Sequence, residues 1–153
     1  MMGLASKINL NPLLVLENAI GFIHDLQVII TKKERKTEII RESRNRLESW
    51  LKNRYFDQYR NKKLDLAIVI YLDKNRYRRQ DIDNIAKVIL DMLKKDKESG
   101  RPYLFKDDSQ VIRLLIYKIE TKKFGRYKTN SLVISFREHD PKKQMILVEQ
   151  NVL

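Results

Sequence analysis

The sequence contains no cysteine and only two histidines, His24 and His139, among its 153 residues. The lack of cysteine excludes disulfide bonds, thiolate zinc sites and cysteine nucleophiles. Two histidines so far apart along the chain do not favour a metal site built from imidazole ligands. We therefore expect any bound metal to be a hard cation held by oxygen ligands.

Glycine and proline are also scarce, with four and three residues, which predicts few long loops. No apolar run approaches the roughly 20 residues that a membrane-spanning helix needs. The first residues lack the charged region and continuous apolar block of a secretory signal. We therefore expect a cytoplasmic protein whose residues 1–153 form a single domain.

Basic residues outnumber acidic ones by 32 to 20, giving a net charge of +12. An excess of this size indicates an anionic partner, with nucleic acid ahead of an anionic membrane surface. A basic but indifferent solvated surface is the alternative. Hydrophobic residues make up 42 % of the chain, which is typical of a folded protein rather than a disordered one.

Hydrophobic periodicity predicts four strands and two main helices. The strands are at 26–30, 64–72, 111–119 and 132–136, and the helices at 35–54 and 83–95. We interpret 73–79 as a polar basic loop, 124–126 as a turn, and the apolar patch at 145–148 as a further strand or an interface. The order β-α-β-α-β-β predicts an α+β (α/β-type, two-layer) fold, with a small mixed β-sheet and both helices mainly on one face.

Several acidic residues interrupt this basic chain at two places. Asp81 and Asp83 follow a predicted buried strand and open a helix, and Lys87 lies one turn further along that helix. Asp107 and Asp108 precede the next strand. Each feature has an ordinary alternative: a helix cap for Asp83, a salt bridge across one turn for Lys87, and a surface turn for the acidic pair.

Taken together, these acidic residues predict a cation site. Asp81 lies just beyond the end of the strand at 64–72, and Asp108 lies at the start of the strand at 111–119. If these strands are neighbours in an antiparallel or suitably staggered arrangement, the two aspartates come close together. Three carboxylates at close range repel one another and have raised pKa values unless a cation neutralises them. Mg²⁺ accepts such oxygen ligands and retains bound water for hydrolysis.

The run RRQDIDNIAK at 78–87, the run DDSQV at 107–111 and Lys118 resemble the RusA-type Holliday junction resolvases. The resemblance covers about residues 64–137, within a family-like core of about 26–137 flanked by extensions at 1–25 and 138–153. It implies a homodimeric, Mg²⁺-dependent endodeoxyribonuclease, with Mn²⁺ as a substitute metal. Such an enzyme cuts four-way DNA junctions symmetrically in recombination and repair, without a small-molecule cofactor or a membrane partner.

The resemblance also implies roles for individual residues. Asp81, Asp83 and Asp108 correspond to the catalytic metal ligands and Lys87 to the catalytic lysine, while Asp107 is a secondary acid. The expected DNA-binding residues are Lys74, Arg76, Arg78, Arg79 and Lys118. Gln80 departs from the family pattern, because a basic residue often stands directly before the first aspartate.

Two other functions fit the same sequence. The first is a non-catalytic, basic nucleic-acid-binding module, for which the acidic residues need not cluster. The second is a Mg²⁺ nuclease that acts on flaps, forks or nicked duplexes without preferring junctions. Tyr77 could stack on an unpaired base, and the alternatives are burial or simple surface exposure.

Overall fold

The computed structural model describes residues 13–27, 37–97, 100–121 and 130–150. The strands are β1 (Leu13–Leu16), β2 (Gly21–Gln27), β3 (Leu64–Leu72), β4 (Val111–Glu120), β5 (Ser131–Glu138) and β6 (Leu147–Gln150). The helices are α1 (Thr37–Leu51), α2 (Arg54–Asp57), α3 (Lys74–Arg79) and α4 (Ile82–Leu93), and a 3₁₀ turn spans Asp108–Gln110.

The main sheet is mixed and has the strand order β2-β5-β3-β4. Strand β5 is antiparallel to both of its neighbours, whereas β3 and β4 are parallel. Strands β1 and β6 form a separate antiparallel pair. This arrangement confirms the predicted α+β fold with a small mixed sheet.

Strand β3 lies in the middle of the main sheet, and all nine of its residues are buried. Leu66, Ile68 and Ile70 face a core that includes side chains of α1 and α4, so both long helices cover the same face as predicted. Val69 and Tyr71 face the opposite core, which β1 supplies together with partly buried residues of β6. A run that is apolar on both faces is typical of a strand covered on both sides.

The terminal extensions are therefore part of the packing. Strand β1 from the N-terminal extension pairs with β6 from the C-terminal one, with Val15 opposite Val148. The apolar patch at 145–148 thus contributes to a strand, which was one of the two roles predicted for it. Together the two strands add a layer on the sheet face that the helices leave open, beyond the two layers that were predicted.

Three predicted elements need correction. The strand predicted at 26–30 is β2, which occupies Gly21–Gln27, and residues 28–30 lie outside the described residues. The segment predicted as a basic loop forms α3, which begins after Asp73 because the Asp73 carboxylate accepts a 2.9 Å hydrogen bond from the Arg76 backbone N–H. The first long helix ends at Leu51, before the short α2. The predicted turn at 124–126 lies outside the described residues.

A buried carboxylate interrupts the apolar pattern of β3. Asp65 is 0 % exposed, and its Oδ2 accepts a 3.0 Å hydrogen bond from Nε of the buried Arg137. Its Oδ1 accepts from Arg113 Nε at 3.1 Å and lies 2.8 Å from His139 Nδ1. The carboxylate therefore joins three neighbouring strands and the start of the C-terminal segment. None of the helices in the described ranges is long and apolar enough to cross a membrane.

Candidate metal site and nucleic-acid interface

Asp81 and Asp83 lie at the beginning of α4. Asp81 is the N-cap residue, but its side chain makes no capping hydrogen bond, and Asp83 lies in the first turn. Both residues are exposed, and neither carboxylate has a hydrogen bond or salt bridge to another residue that the structure describes. The positive end of the helix dipole partly offsets the repulsion between the two charges. Two carboxylates are thus available to an external ligand.

Lys87 is exposed on the same helix, one turn after Asp83. Within the described part of the chain, its ammonium group has no carboxylate within the 4.0 Å of a salt bridge. The ordinary alternative of a salt bridge across one turn is therefore not formed. The amine remains available close to the two carboxylates.

Lys118 of β4 fixes the backbone that leads into Asp81. Its Nζ donates hydrogen bonds to the carbonyl oxygens of Tyr77 at 2.6 Å and of Gln80 at 2.9 Å. The same ammonium group lies 4.9 Å from the centre of the Tyr77 ring. Lys118 was predicted to bind DNA, but its charge is directed at the protein. Tyr77 is partly buried and packs on the main core, which favours burial over base stacking.

The acidic pair at 107–108 divides into two different environments. Asp107 caps the 3₁₀ turn, because its Oδ2 accepts a 3.0 Å hydrogen bond from the Ser109 backbone N–H. Hydrogen bonds from the Ser109 hydroxyl and backbone hold the pKa of Asp107 below its usual value. Asp108, in contrast, has a side chain that is 58 % exposed and lies 3.6 Å from Nζ of Lys94. Asp107 therefore serves the local structure, and Asp108 is the more available carboxylate.

Gln110 holds this acidic turn against the preceding strand connection. Its amide oxygen accepts from the Lys106 N–H at 2.7 Å and the Asp107 N–H at 3.1 Å. Its amide nitrogen donates to the carbonyls of Arg60 at 2.7 Å and Lys62 at 3.0 Å. The turn that carries Asp108 is thus fixed at the end where β3 and β4 begin.

The structure does not bring Asp108 close to Asp81 and Asp83 within this chain. Strands β3 and β4 are neighbours as predicted, but they run parallel, with Leu64 opposite Val111. Asp108 therefore lies beside Lys94 at the far end of α4, and Asp83 and Lys94 are separated by about 16 Å of helix at 1.5 Å per residue. Among the residues that the structure describes, no group of three acidic or histidine side chains is placed to hold a metal ion.

Basic side chains gather immediately before Asp81. Lys74, Arg78 and Arg79 are exposed on α3, and Arg76 is partly buried. Burial lowers the pKa of Arg76 from its usual value, because it disfavours the charged guanidinium. Three of the five predicted DNA-binding residues therefore present their charges to solvent on one short helix.

The pair formed by Asp81 and Asp83 fits a hard divalent cation. Mg²⁺ in proteins is commonly held by one or two carboxylates, with water and substrate phosphates completing its octahedron. Both carboxylates are exposed and are not engaged by other described residues, so each has oxygen atoms to offer. These two carboxylates are thus suited to bind a metal ion without Asp108.

Three residues that support these positions received no role from the sequence, although Gln110 is part of the DDSQV run. Asp73 caps α3, Gln110 fixes the acidic turn and Lys94 pairs with Asp108. The signals for the first two are present in the sequence, because Asp is a preferred N-cap and an acid followed three residues later by Gln is typical of a capping box. The contact of Lys94 has no such local signal.

A comparison with known protein families finds one family model that matches most of this chain. The model of the family described as endodeoxyribonuclease RusA matches residues 25–129, which include every predicted site residue. A search of curated proteins finds no match. The match covers more than half of the chain, so the protein belongs to the RusA family of endodeoxyribonucleases, which act on Holliday junctions.

Proposed function

We propose that this protein resolves four-way DNA junctions by paired, Mg²⁺-dependent hydrolysis of phosphodiester bonds in recombination and repair, with Mn²⁺ able to replace Mg²⁺. The observation that carries the proposal is the pair of exposed carboxylates, Asp81 and Asp83, in a chain of net charge +12. Carboxylates repel a phosphate backbone unless a cation lies between them. Their place directly after the basic helix α3 supports a site where metal and DNA meet.

The polar side chains at the beginning of α4 have different chemical roles. Asp81 and Asp83 would hold the ion, which when bound would polarise a phosphoryl oxygen and lower the pKa of a bound water. Lys87, one turn along the helix, supplies a positive charge that stabilises the negative charge developing on the phosphoryl oxygens. Lys118 keeps the backbone before Asp81 in place through the carbonyl of Gln80.

The basic residues of α3 position the DNA. Lys74, Arg78 and Arg79 are exposed and can each contact a phosphate, which fixes the register of the DNA without reading its sequence. A four-way junction has two-fold symmetry, so two such sites in a two-fold homodimer suit paired cuts. The partly buried hydrogen bonds of Lys118 to backbone carbonyls favour a role in supporting the site over a phosphate contact.

The test compares cleavage of an immobile four-way junction with cleavage of linear duplex, flap and fork DNA, with and without Mg²⁺. We expect the wild type to cut the junction preferentially and only with metal. Asp81→Asn should lower the cleavage rate at least about 100-fold. The loss of a metal ligand should cost at least as much as the loss of a residue that hydrogen-bonds to one. Asp81→Asn should retain junction binding.

Asp91→Asn provides the matched control, because Asp91 is an exposed aspartate on the same helix outside the site. We expect it to cleave at the wild-type rate. Junction binding without cleavage under any metal would favour the non-catalytic module. Equal cleavage of flaps, forks and junctions would favour a nuclease for other branched DNA.

A further inference from the structure

The basic helix α3 depends on the structure around it for its position. It has six residues, none of them fully buried, and its contribution to the main core is the partly buried Tyr77. A helix this short is not stable by itself. The proposed phosphate contacts Lys74, Arg78 and Arg79 are exposed on it. The groups that hold α3 therefore determine where these charges meet DNA.

Asn130 binds the residue from which α3 begins. Its Oδ1 accepts a 3.2 Å hydrogen bond from the Asp73 backbone N–H, and its Nδ2 donates a 3.1 Å hydrogen bond to Asp73 Oδ2. The other carboxylate oxygen, Asp73 Oδ1, caps the helix by accepting from the Arg76 N–H. One amide thus bonds both the backbone and the side chain of the capping residue, which fixes the direction of the cap.

The backbone of Asn130 is suited to this position. Its φ is 65°, in the left-handed region that most residues with a side chain avoid and that Asn tolerates. Glycine adopts the same conformation readily but has no amide to offer. Asn thus satisfies two requirements of the position, because the backbone restricts the residue type and the two hydrogen bonds need an amide.

The other end of the same connection also bonds the end of β3. The residues between β4 and β5 begin with Thr121 and end with Asn130. Thr121 donates from its backbone N–H at 2.8 Å and from its hydroxyl at 3.3 Å to the carbonyl of Leu72, the residue before Asp73. The path of the chain from β3 into α3 is therefore fixed at two adjacent residues.

We propose that Asn130 is a positioning residue for DNA binding, because it holds the start of α3 so that its three exposed cations are in place before DNA arrives. Groups that become ordered only on association reduce the affinity of a complex. A basic helix that is held in advance avoids part of this cost. The amide of Asn130 thus acts on DNA through Asp73 and not by touching a phosphate.

The two ends of α3 predict two different effects. At the far end, Lys118 bonds the carbonyls of Tyr77 and Gln80 directly before Asp81, so this support acts on the metal site. Asn130 bonds the near end, so it acts on affinity for DNA. The inference rests on the proposed function for the role of α3 in DNA binding, but affinity and cleavage can be measured separately.

The test replaces Asn130 by glycine, which keeps the left-handed backbone and removes the amide. Fluorescence anisotropy without Mg²⁺ measures binding of an immobile four-way junction, which Asn130→Gly should weaken about tenfold. The slope of log affinity against log salt should fall by about one, the contribution of one phosphate contact. The single-turnover cleavage rate at saturating DNA should stay within about twofold of the wild type. A residue that only stabilised the fold would change none of these quantities in a folded protein.

Asn18→Gly is the matched control. Asn18 is exposed in the turn between β1 and β2, and with a φ of 56° it is the other left-handed residue besides glycine in the described part of the chain. The same substitution there should leave junction affinity, salt slope and cleavage unchanged. Thermal unfolding of both variants shows whether they are folded at the assay temperature.

A second variant removes the same contact from the other side. Asp73→Ser keeps a side-chain oxygen that can cap α3 but has no second oxygen to accept from Asn130. It should also weaken junction binding. The double variant of Asp73→Ser and Asn130→Gly should weaken binding by less than the two single effects combined, because both act on one contact. Unchanged binding by Asp73→Ser would contradict the proposed role, even if Asn130→Gly does not fold.

The outcomes separate this role from the proposed function. A wild type that neither binds nor cuts a junction overturns the proposed function. A wild type that does both, with equal affinities for Asn130→Gly and Asn18→Gly, overturns the role of Asn130 alone. Slower cleavage at saturating DNA without weaker binding also overturns it, because Asn130 would then act on the metal site. Weaker binding with full cleavage at saturation, found in Asn130→Gly but not in Asn18→Gly, supports it.

Discussion

The role of a charged residue in this protein depends on what its side chain already contacts. Asp107 and Asp108 are adjacent in sequence, yet the first caps a turn and the second is exposed beside Lys94. Lys87 and Lys118 are both near Asp81, yet only Lys118 is bonded to the protein backbone. The exposed side chains of Asp108 and Lys87 can contact a ligand, whereas Asp107 and Lys118 are hydrogen-bonded to the backbone and hold the local structure in place.

The contrast between Lys118 and Lys74 gives a prediction about DNA binding. Lys118→Met should leave the dependence of junction affinity on salt unchanged, because its ammonium group bonds to carbonyls and not to phosphate. It should lower cleavage at saturating DNA by about tenfold or more, as loss of an outer-shell partner does. Lys74→Met should instead reduce the slope of log affinity against log salt by about one.

Fluorescence anisotropy across a salt series, together with single-turnover cleavage, separates the two variants. The matched pair removes one lysine charge each time, so a difference in slope reports contact with phosphate. An equal reduction of the slope in both variants would show that Lys118 also binds DNA. The role assigned to it here would then be wrong.

The identities of the site residues are predictable from the sequence, but their contacts are not. Asp81, Asp83 and Lys87 follow from a local motif, and local spacing is all that a motif describes. The inward direction of Lys118 depends on the packing of α3 over β4, which joins segments about 40 residues apart. The sequence pattern does not mark Asp65, because a single acid in an apolar run leaves the pattern of a buried strand intact.

At the level of elements, the helix α3 shows how a short segment is held. It has only six residues and buries none of them, so it cannot be stable alone. Asp73 caps its beginning and also accepts a 3.1 Å hydrogen bond from Asn130, while Lys118 binds the carbonyls at its end. The beginning of the basic helix is thus tied to the residue that precedes β5, and its end is tied to β4.

The cap of α3 makes stability depend on pH. The hydrogen bond from the Arg76 backbone N–H holds the pKa of Asp73 below its usual value of 3.8 against the opposing effect of burial, and the hydrogen bond from Asn130 adds a smaller lowering. A lowered pKa means that the native state favours the ionised form. The stabilisation is therefore complete above the usual pKa and is lost as the pH falls through the lowered value.

We expect Asp73→Ala to lower the free energy of unfolding by about 1 kcal/mol at neutral pH, as loss of an N-cap does. The difference from the wild type should shrink as the pH falls below about 4. Urea unfolding at a series of pH values measures it. Asp91→Ala, at an exposed position on α4, should show no such convergence. A constant difference for Asp73→Ala down to pH 2 would contradict the role of the ionised cap.

Some elements could be predicted from the sequence and others could not. Strand β3 was predicted at its observed bounds, because a continuous run of branched apolar residues is a strong signal. The helix α3 has no apolar stripe, so its sequence is typical of a loop. The parallel direction of β3 and β4 depends on the path of the chain between them, which periodicity does not contain. That direction decides where Asp108 lies.

At the scale of the whole molecule, one buried network joins the sheet to the terminal segments. Asp65 bonds Arg137 on β5 and Arg113 on β4. Arg137 also donates to the Glu17 carbonyl at 2.9 Å and to the Gln144 carbonyl at 2.6 Å. The network thus connects both extensions to the main sheet, close to the end where the acidic turn precedes β4.

This network gives a prediction about stability. Asp65→Asn removes the negative charge that the buried Arg137 and the partly exposed Arg113 share, which leaves a buried guanidinium without its counter-charge. Breaking a buried ion pair from one side costs about 3 to 5 kcal/mol, so we expect a loss of that order in the free energy of unfolding. Glu149→Gln is the matched control, because it makes the same acid-to-amide change at an exposed residue of β6. It should lower the free energy of unfolding by less than about 0.5 kcal/mol.

Chemical unfolding of both variants measures the difference, and a double-mutant cycle tests its origin. If Asp65 and Arg137 act as a pair, Asp65→Asn combined with Arg137→Gln should be less destabilising than the sum of the single changes, because the second substitution removes the charge that the first leaves unpaired. Strict additivity would show that each residue acts through its other contacts. Additive losses would then assign the loss at Arg137 to its bonds with the carbonyls of Glu17 and Gln144, and the loss at Asp65 to its contacts with Arg113 and His139.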